Sequence, residues 1–216
     1  MSGIVLYDYW RSSASYRVRI ALHLKGVAFD RIDVPLLENA QTAPAYLARN
    51  PQGLVPALEI DGLVLTQSLA ILDYLDARFP EPPLVSRDPA RRARTLAQAL
   101  TIAADTHPIN NLRVTRYLQD EIGADAAART AWSRHWMAQG LAALEILAAD
   151  SGTFLGGDQP DMADLCLVPQ LYNARRLELP LDAYPLLLRI DAAACALAPF
   201  AAAHPDRVGP GPGGSP

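Results

Sequence analysis

Three serines stand at the start of a predicted helix near the N terminus, and their hydroxyl groups are well placed for chemistry. They are Ser12, Ser13 and Ser15. Backbone N–H groups at a helix N terminus have no intrahelical partner and favour negative charge. Three arginines add positive charge within nine positions: Arg11, Arg17 and Arg19. The segment therefore predicts a site for an anion beside the serines, although helix capping by itself would explain one of them.

The composition is that of a globular protein with a sizeable core. The chain has 216 residues, half of them apolar, and a net charge of −4, which argues against a nucleic-acid surface. No run approaches the roughly 18 apolar residues of a membrane span. The N terminus has no export signal. Cys166 and Cys195 form no metal or disulfide pattern. We expect a soluble, cytoplasmic protein without a metal.

The first eighty residues alternate strand and helix signals. Strands are predicted at 4–9, 29–34, 57–60 and 63–66, and helices at 15–25, 43–48 and 68–79. Asp61-Gly62 separates the last two strands and is a strong hairpin signal. This order implies a small mixed sheet in a domain that spans residues 1–82.

After residue 80 the strand signals disappear. Prolines mark a linker at about 80–87, and helices are predicted at 89–118, 124–149 and 162–176, with shorter ones after Pro185. Residues 88–207 are therefore expected to form an all-helical domain. The Gly/Pro-rich tail, 208–216, is expected to be disordered.

Five motifs in order resemble the zeta-class glutathione transferases, the family that contains maleylacetoacetate and maleylpyruvate isomerases. They are YWRSSASYRVRIAL at 9–22, NPQGLVPAL at 50–58, LTQSLAI at 65–71, HPINNL at 107–112 and DMADL at 161–165. The resemblance covers the chain from about residue 4 to 200. It implies a thioredoxin-like N-terminal domain, a helical-bundle C-terminal domain, glutathione as cofactor and a homodimer.

The resemblance gives the opening serines a role. Thioredoxins carry a reactive cysteine pair at this point of the fold, and this chain has none, so the thiol is expected to come from glutathione. A free thiol is mostly protonated at neutral pH, and a hydroxyl donor at a helix N terminus would favour the thiolate. By motif position Ser12 is the candidate donor, with Ser13 as the alternative. Ala14 stands where the family commonly has a cysteine, which disfavours reductive dehalogenation.

Other glutathione contacts are implied by motif position alone. A cis Val55–Pro56 bond would present the Val55 backbone to the cysteinyl residue; a trans proline at a strand start is the alternative. Ser68, with Gln67 beside it, would hold the γ-glutamyl carboxylate, or would merely cap its helix. Weaker candidates for the glycine end are Gln41 and Gln52.

A proline interrupts the first long helix of the second domain. Pro108 should kink that helix. The resemblance implies that His107, Asn111 and Arg113 face the ligand cleft; the alternative for His107 is an ordinary surface histidine. Some maleylpyruvate isomerases carry arginine where this chain has Leu112, which slightly disfavours that subclass.

A cis-dicarboxylate substrate needs two separated cations. By resemblance these are Arg11 and Arg176, whereas Arg17 and Arg19 are expected to be structural or to face a dimer partner. Favourable cation placement at a helix C terminus is the alternative for Arg176. The motif at 161–165 is expected to cap its helix and to take no part in chemistry.

The expected function is glutathione-dependent cis–trans isomerisation of maleylacetoacetate to fumarylacetoacetate in aromatic amino-acid breakdown. The alternatives are isomerisation of maleylpyruvate in gentisate breakdown, general glutathione conjugation, and non-catalytic binding on the same fold. Both isomerase substrates share the reacting group and two carboxylates, so the sequence leaves that choice open.

Overall fold

A computed structural model describes residues 3–210 of the chain. The chain divides into two compact units. The first consists of the residues up to Leu84 together with those from Ala196 onward, and the second is Val85–Cys195. Of the predicted tail at 208–216, residues 211–216 lie outside the described part of the chain.

The first unit is built on a four-stranded mixed sheet. Its elements are β1 (Val5–Asp8), α1 (Ser13–Leu24), β2 (Asp30–Asp33), α2 (Pro44–Leu47), β3 (Ala57–Ile60), β4 (Leu63–Thr66) and α3 (Ser68–Arg78). The strand order is β2-β1-β3-β4, with β1 parallel to β2 and antiparallel to β3. The predicted alternation of strands and helices and the mixed sheet are confirmed.

The hairpin between β3 and β4 turns at the predicted dipeptide. Asp61 and Gly62 both have positive φ, 51° and 76°, and Ile60 pairs with Leu63 across the turn. Two left-handed residues give a turn whose twist matches that of the flanking strands, which is why Asp-Gly is favoured there. The local sequence therefore sets the register of this edge.

The second unit is helical. After the linker come α4 (Pro89–Leu100), α5 (Leu112–Asp120), α6 (Ala126–Leu147), α7 (Met162–Arg176) and α8 (Pro185–Cys195). The Asp88 side chain caps α4 by accepting from the Arg91 N–H at 2.8 Å, and Pro89 takes the first helical position. A proline loses nothing at that position because its missing N–H would have no partner there.

The single long helix predicted over 89–118 is wrong. The chain passes instead through a π-helical turn, Thr101–Thr106, and a short 3-10 turn, Pro108–Asn110, before α5 starts. Pro108 lacks an N–H and its ring clashes with the preceding turn, so the α-helical ladder ends rather than bends. Asn111 then caps α5 by accepting from the Arg113 N–H at 3.1 Å.

Residues 196–207, which the sequence placed in the second domain, group with the first unit. Two further helices, α9 (Ala198–Ala203) and α10 (Pro205–Val208), belong to the first unit, where α9 packs against α1. Phe200 of α9 is fully buried, and the Ala203 carbonyl accepts from Arg19 Nε at 3.1 Å. Because these contacts are distant in sequence, helical periodicity could not assign the segment to its unit.

Arg19 is a structural residue of the first unit, as one of the two sequence alternatives held. Its side chain is fully buried and pairs with the equally buried Asp8 at 2.7 Å. A second nitrogen donates to the Trp10 carbonyl at 3.0 Å. Every one of these acceptors is part of the fold, and together they hold the loop that leads into α1.

Candidate active site

Ser12 is the N-cap of α1, and its hydroxyl retains a proton for a ligand. Its Oγ accepts from the Ser15 N–H at 3.2 Å, and the residue is half-buried. A hydroxyl that accepts one hydrogen bond still carries one O–H donor. Capping and ligand donation are therefore compatible in this residue rather than alternatives.

The other two serines differ from Ser12 in exposure. Ser13 is the first residue of α1 and is 6% exposed, whereas Ser15 is fully buried. Within the described residues the Ser15 hydroxyl has no hydrogen-bond partner. Ser15 faces the interior of the first unit, so of the three serines Ser12 has the most accessible hydroxyl.

Arg11 lies directly before this cap. Its guanidinium stacks over the Trp10 ring at 4.1 Å from the ring centroid, and Arg11 is half-buried while Trp10 is 7% exposed. The stacking fixes the stem of Arg11 without neutralising its charge. The positive charge remains available beside Ser12.

The Val55–Pro56 bond is cis, as the resemblance implied, and the trans alternative is wrong. It lies immediately before β3. Among the described residues, no backbone hydrogen bond uses the N–H or C=O of Val55. Both groups are thus unpaired at the point where the antiparallel ladder between β1 and β3 stops, as an extended peptide ligand would require.

The N terminus of α3 is not capped by a side chain. Gln67 occupies the cap position with a positive φ of 67°, and its side chain instead donates from Nε2 to Gln52 Oε1 at 2.6 Å. Ser68 is the first helical residue and is 6% exposed. The alternative of a capping serine is wrong. The first N–H groups of α3 are left without a side-chain cap, as in an anion-binding helix terminus.

Arg17 is a buried residue of the first unit, in agreement with the structural one of its two sequence alternatives. It is 1% exposed and donates from a terminal guanidinium nitrogen to Ser68 Oγ at 3.1 Å, a contact that the sequence analysis did not predict. Ser13 and Arg17 are four positions apart on α1 and therefore lie on one helix face. This spacing is visible in the sequence, and it could have indicated that Arg17 lies on the same helix face as one of the opening serines.

The two weaker glutamines have different environments. Gln41 is 8% exposed, and its Oε1 has no hydrogen-bond partner among the described residues. Gln52 is exposed, and its backbone N–H donates to Asn50 Oδ1 at 3.1 Å. Gly53 brings the two segments together, since a Cβ there would lie 3.2 Å from the Gln41 carbonyl oxygen.

In the second unit, the residues around the helix break have mixed roles. The Asn111 side chain is occupied by the cap of α5, whereas Arg113 is exposed and His107 is half-buried. Leu112, the first residue of α5, is half-buried. Asn111 is therefore explained structurally, and Arg113 remains accessible to an anion.

The two arginines at the end of α7 are not equivalent. Arg175 pairs with Asp191 at 2.6 Å. Arg176 is exposed, and no ion pair to it is found within residues 3–210. Both residues lie in the last turn, where a cation is favourable in any case. Arg176, unlike Arg175, has no carboxylate partner in the described residues and is accessible to a carboxylate from outside.

The predicted capping motif of α7 is a complete capping box. Asp161 accepts from the Ala163 N–H at 2.8 Å, and Asp164 accepts from the Asp161 N–H at 2.9 Å and from the Leu155 N–H at 2.9 Å. Burial, followed by the charge of the nearby Asp161 carboxylate, raises the pKa of Asp164 to about 7. This pair is saturated by protein groups, in agreement with a structural role.

Neither cysteine is placed as a reagent. Cys166 is buried, and burial, followed by the charge of Asp191, raises the pKa of Cys195 to about 12. Both cysteines belong to the second unit, whereas the three serines belong to the first. In the described part of the chain, no three metal-ligating side chains cluster, and no helix has the length and apolar character to span a bilayer.

The two-unit fold and the residues at the N termini of α1 and α3 define a class of protein. Residues 6–83 match the family model described as Glutathione S-transferase, N-terminal domain, and residues 126–190 match Glutathione S-transferase, C-terminal domain. The chain belongs to the glutathione S-transferase family.

Individual members of this family are similar to the chain over almost its whole length. The chain is 50% identical to the maleylacetoacetate isomerase of Rhizobium meliloti, covering 95% of this chain and 98% of the relative. The holo structure of maleyl pyruvate isomerase, a bacterial zeta-class glutathione S-transferase, superimposes with a TM-score of 0.93 at 42% identity, covering 98% and 100%. Maleylacetoacetate isomerase from Anaeromyxobacter dehalogenans, with dicarboxyethyl glutathione and citrate bound, gives 0.85 at 45% identity over 100% of both chains.

Proposed function

We propose that this protein is a glutathione-dependent cis–trans isomerase whose substrate is maleylacetoacetate. The observation that carries the proposal is the hydroxyl of Ser12 at the N terminus of α1, in a chain whose two cysteines lie elsewhere. A site built to hold a thiolate, in a unit that has no thiol, calls for a thiol from a ligand. The relatives that hold glutathione or its dicarboxyethyl derivative support the same conclusion.

The first unit fits glutathione along its length. We assign the sulfur to the hydroxyl of Ser12, with Ser13 beside it, and the cysteinyl backbone to the unpaired N–H and C=O of Val55 next to Pro56. The extended tripeptide would thereby continue the antiparallel ladder at β3. A cluster at the other end, Gln67 with Ser68, takes the γ-glutamyl carboxylate.

The remaining contacts are assigned with less structural support. Gln41, with its unpartnered buried carbonyl, and the exposed Gln52 are assigned to the glycine end of the tripeptide. Three residues of the second unit are assigned to the ligand by motif position: His107, Asn111 and Arg113. Of these, Asn111 already accepts from the Arg113 N–H, so its contribution would come from its NH₂ donors.

The side chains of this protein would stabilise the charges that arise in the reaction and would hold the substrate in position. Bound glutathione supplies a thiolate that adds reversibly to the conjugated cis double bond and so permits rotation. Ser12 donates to the sulfur and favours its ionised form. Arg11 and Arg176 hold the two substrate carboxylates, and Arg11 with the N terminus of α1 stabilises negative charge on the keto oxygen. Positioning of both ends keeps the reacting carbons aligned through the rotation.

Maleylpyruvate is the second candidate substrate. It shares the double bond and both carboxylates, and a maleyl pyruvate isomerase and a maleylacetoacetate isomerase superimpose on this chain with the same TM-score of 0.93. Leu112 supports the first candidate, since some maleylpyruvate isomerases carry arginine there. General conjugation and non-catalytic binding have no comparable structural support.

The assay that decides is spectrophotometric isomerisation of each cis substrate with and without glutathione. Isomerisation that requires glutathione and leaves its concentration unchanged is expected, with a higher kcat/KM for maleylacetoacetate. Stoichiometric consumption of glutathione would show a conjugating transferase instead. Failure to bind glutathione in a calorimetric titration would refute the proposal for every catalytic alternative.

We also propose that the protein is a cytoplasmic homodimer. The edge strand β4 exposes apolar side chains, with Leu63 47% and Val64 46% exposed. An uncovered apolar edge is a liability in a monomer. Light scattering at micromolar concentration should give twice the chain mass of 23.3 kDa, and a single-chain mass would contradict the dimer.

A further inference from the structure

We propose that Arg17 is a positioning residue for glutathione: it fixes the hydroxyl of Ser68 as a hydrogen-bond donor toward the γ-glutamyl carboxylate. The proposal rests on the proposed function. It gives a role in ligand binding to a residue that the sequence analysis expected to be structural or to face a dimer partner. It is carried by one contact between two buried side chains, on helices that pack against each other within the first unit.

The direction of that hydrogen bond determines what Ser68 can offer. A guanidinium has only donors, so the Ser68 Oγ must accept from Arg17 at 3.1 Å. The single hydroxyl proton of Ser68 is then directed away from Arg17. A charge-assisted bond received by the oxygen also polarises the O–H and strengthens it as a donor. The acceptor that suits such a donor is a carboxylate.

The surroundings of Ser68 favour the same ligand group. Ser68 is the first residue of α3, and the cap position carries no side-chain hydrogen bond. The N–H groups of the first turn therefore point toward the region into which the Ser68 hydroxyl can donate. Arg17 places a guanidinium group behind that hydroxyl in a position shielded from water, since Arg17 is 1% exposed. One carboxylate would be met by backbone donors, a hydroxyl and a buried cation.

A second buried arginine on the same helix has a different set of contacts. Arg19 is fully buried, and its nitrogens bind Asp8, the Trp10 carbonyl and the Ala203 carbonyl. These acceptors belong to the fold. Arg17 instead contacts the side chain that the proposed function assigns to the ligand. Two arginines two positions apart on α1 thus hold different things: Arg19 holds the loop, and Arg17 holds a ligand-binding hydroxyl.

The test compares two peptides in Arg17→Met and Arg17→Lys, measured by isothermal titration. One peptide is glutathione, and the other is 4-aminobutyryl-cysteinylglycine, which lacks the γ-glutamyl carboxylate. Arg17→Met should weaken glutathione about tenfold or more, as loss of a charge-assisted contact does, and the shortened peptide by less than about twofold. Arg17→Lys, which keeps the charge, should lose less. Ser68→Ala should show the same selectivity.

A readout at the opposite end of the peptide separates positioning from general disruption. The pKa of the bound sulfur, followed by thiolate absorbance, should be the same in Arg17→Met and the unaltered protein, because Ser12 holds that end. Equal weakening of both peptides, a shifted sulfur pKa, or unchanged glutathione affinity would each overturn the assignment. If circular dichroism shows that Arg17→Met is unfolded, the peptide comparison in Arg17→Lys decides. Absence of glutathione binding by the unaltered protein would instead refute the proposed function itself.

Discussion

The N termini of α3 and α7 contrast within one chain. At α7 a capping box satisfies the first turn with the side chains of Asp161 and Asp164. At α3 the cap residue, Gln67, adopts a positive φ and bonds elsewhere, so the first turn has no side-chain cap. Both termini favour negative charge. The terminus saturated by its own chain has a structural role at α7, whereas the terminus left without a side-chain cap at α3 is the one that we propose binds a ligand.

The terminus of α1 is intermediate between these two. Ser12 caps it but keeps a proton to donate. Its neighbourhood therefore combines a formed helix end with a remaining donor. The three N termini therefore range from fully capped to uncapped. We expect substitutions at the N terminus of α7 to lower stability, and substitutions at the N termini of α1 and α3 to weaken ligand binding or catalysis.

The largest effect is expected from Asp164→Ala. Removal of the carboxylate leaves the buried Leu155 and Asp161 N–H groups without acceptors, which should lower the free energy of unfolding by about 3 kcal/mol. Urea unfolding measures this, with the exposed Asp158→Ala as a control that should change little. An effect equal to that of the control would remove the contrast between the two kinds of terminus.

Ser12→Ala should lower turnover by about tenfold or more while the protein stays folded. The loss reflects the missing donor to the sulfur, which returns the bound thiol toward its ordinary pKa. The isomerase assay at saturating glutathione provides the measurement, and Ser13→Ala serves as the matched variant. An unchanged rate in Ser12→Ala with a reduced rate in Ser13→Ala would transfer the role to Ser13.

Arg176→Ala should raise KM for the dicarboxylate several-fold and leave the affinity for glutathione nearly unchanged. Arg176 has no ion pair in the described part of the chain, whereas Arg175 is bound to Asp191. Arg175→Ala is the control, and it should affect thermal stability more than KM. Loss of both affinities in Arg176→Ala would rule out its assignment to the substrate.

A pH dependence of stability is also expected at α7, and its size follows the upward shift of the Asp164 pKa. The pKa of Asp164 is raised to about 7 in the folded protein, so between about pH 4 and 7 the folded state binds this proton more tightly than the unfolded chain. Its contribution to stability is full below the unfolded pKa and is lost as the pH rises toward 7. Unfolding of the unaltered protein and of Asp164→Asn at pH 5 and 7.5 measures it. Parallel changes in both proteins would contradict it.

Local sequence predicted the elements whose signals are local. The Asp61-Gly62 hairpin, the extent of α7 and its capping box follow from turn and cap residues within a few positions. The break at Pro108 was predicted in position but not in form. A proline predicts that the helix is interrupted, but not in what form. The π-helical turn that precedes Pro108 also depends on how closely α6 packs against it. Gly140 of α6 approaches so closely that a Cβ would lie 2.0 Å from Thr106 Oγ1.

The candidate site was predicted from motif resemblance rather than from local signals. The resemblance predicted Ser12, the cis bond at Pro56 and the pair Gln67-Ser68 as site residues. Their hydrogen bonds and backbone conformations are known only from the structure. The capping alternative is confirmed for Ser12 and wrong for Ser68, and the ligand roles of both residues stay predictions. These outcomes depend on backbone dihedrals at single residues, which composition and periodicity do not specify.

By itself the sequence determined the mixed sheet, the helical second unit and the absence of a cysteine beside the opening serines, because spacing and residue type are properties of the chain alone. Tertiary structure decided which arginine does what. Arg17 and Arg19 have the same side chain and lie two positions apart, yet one contacts Ser68 and the other Asp8. It also decided that α9 joins the first unit. Both depend on contacts between residues far apart in the chain, and burial turns each such contact into a fixed choice of hydrogen-bond partner.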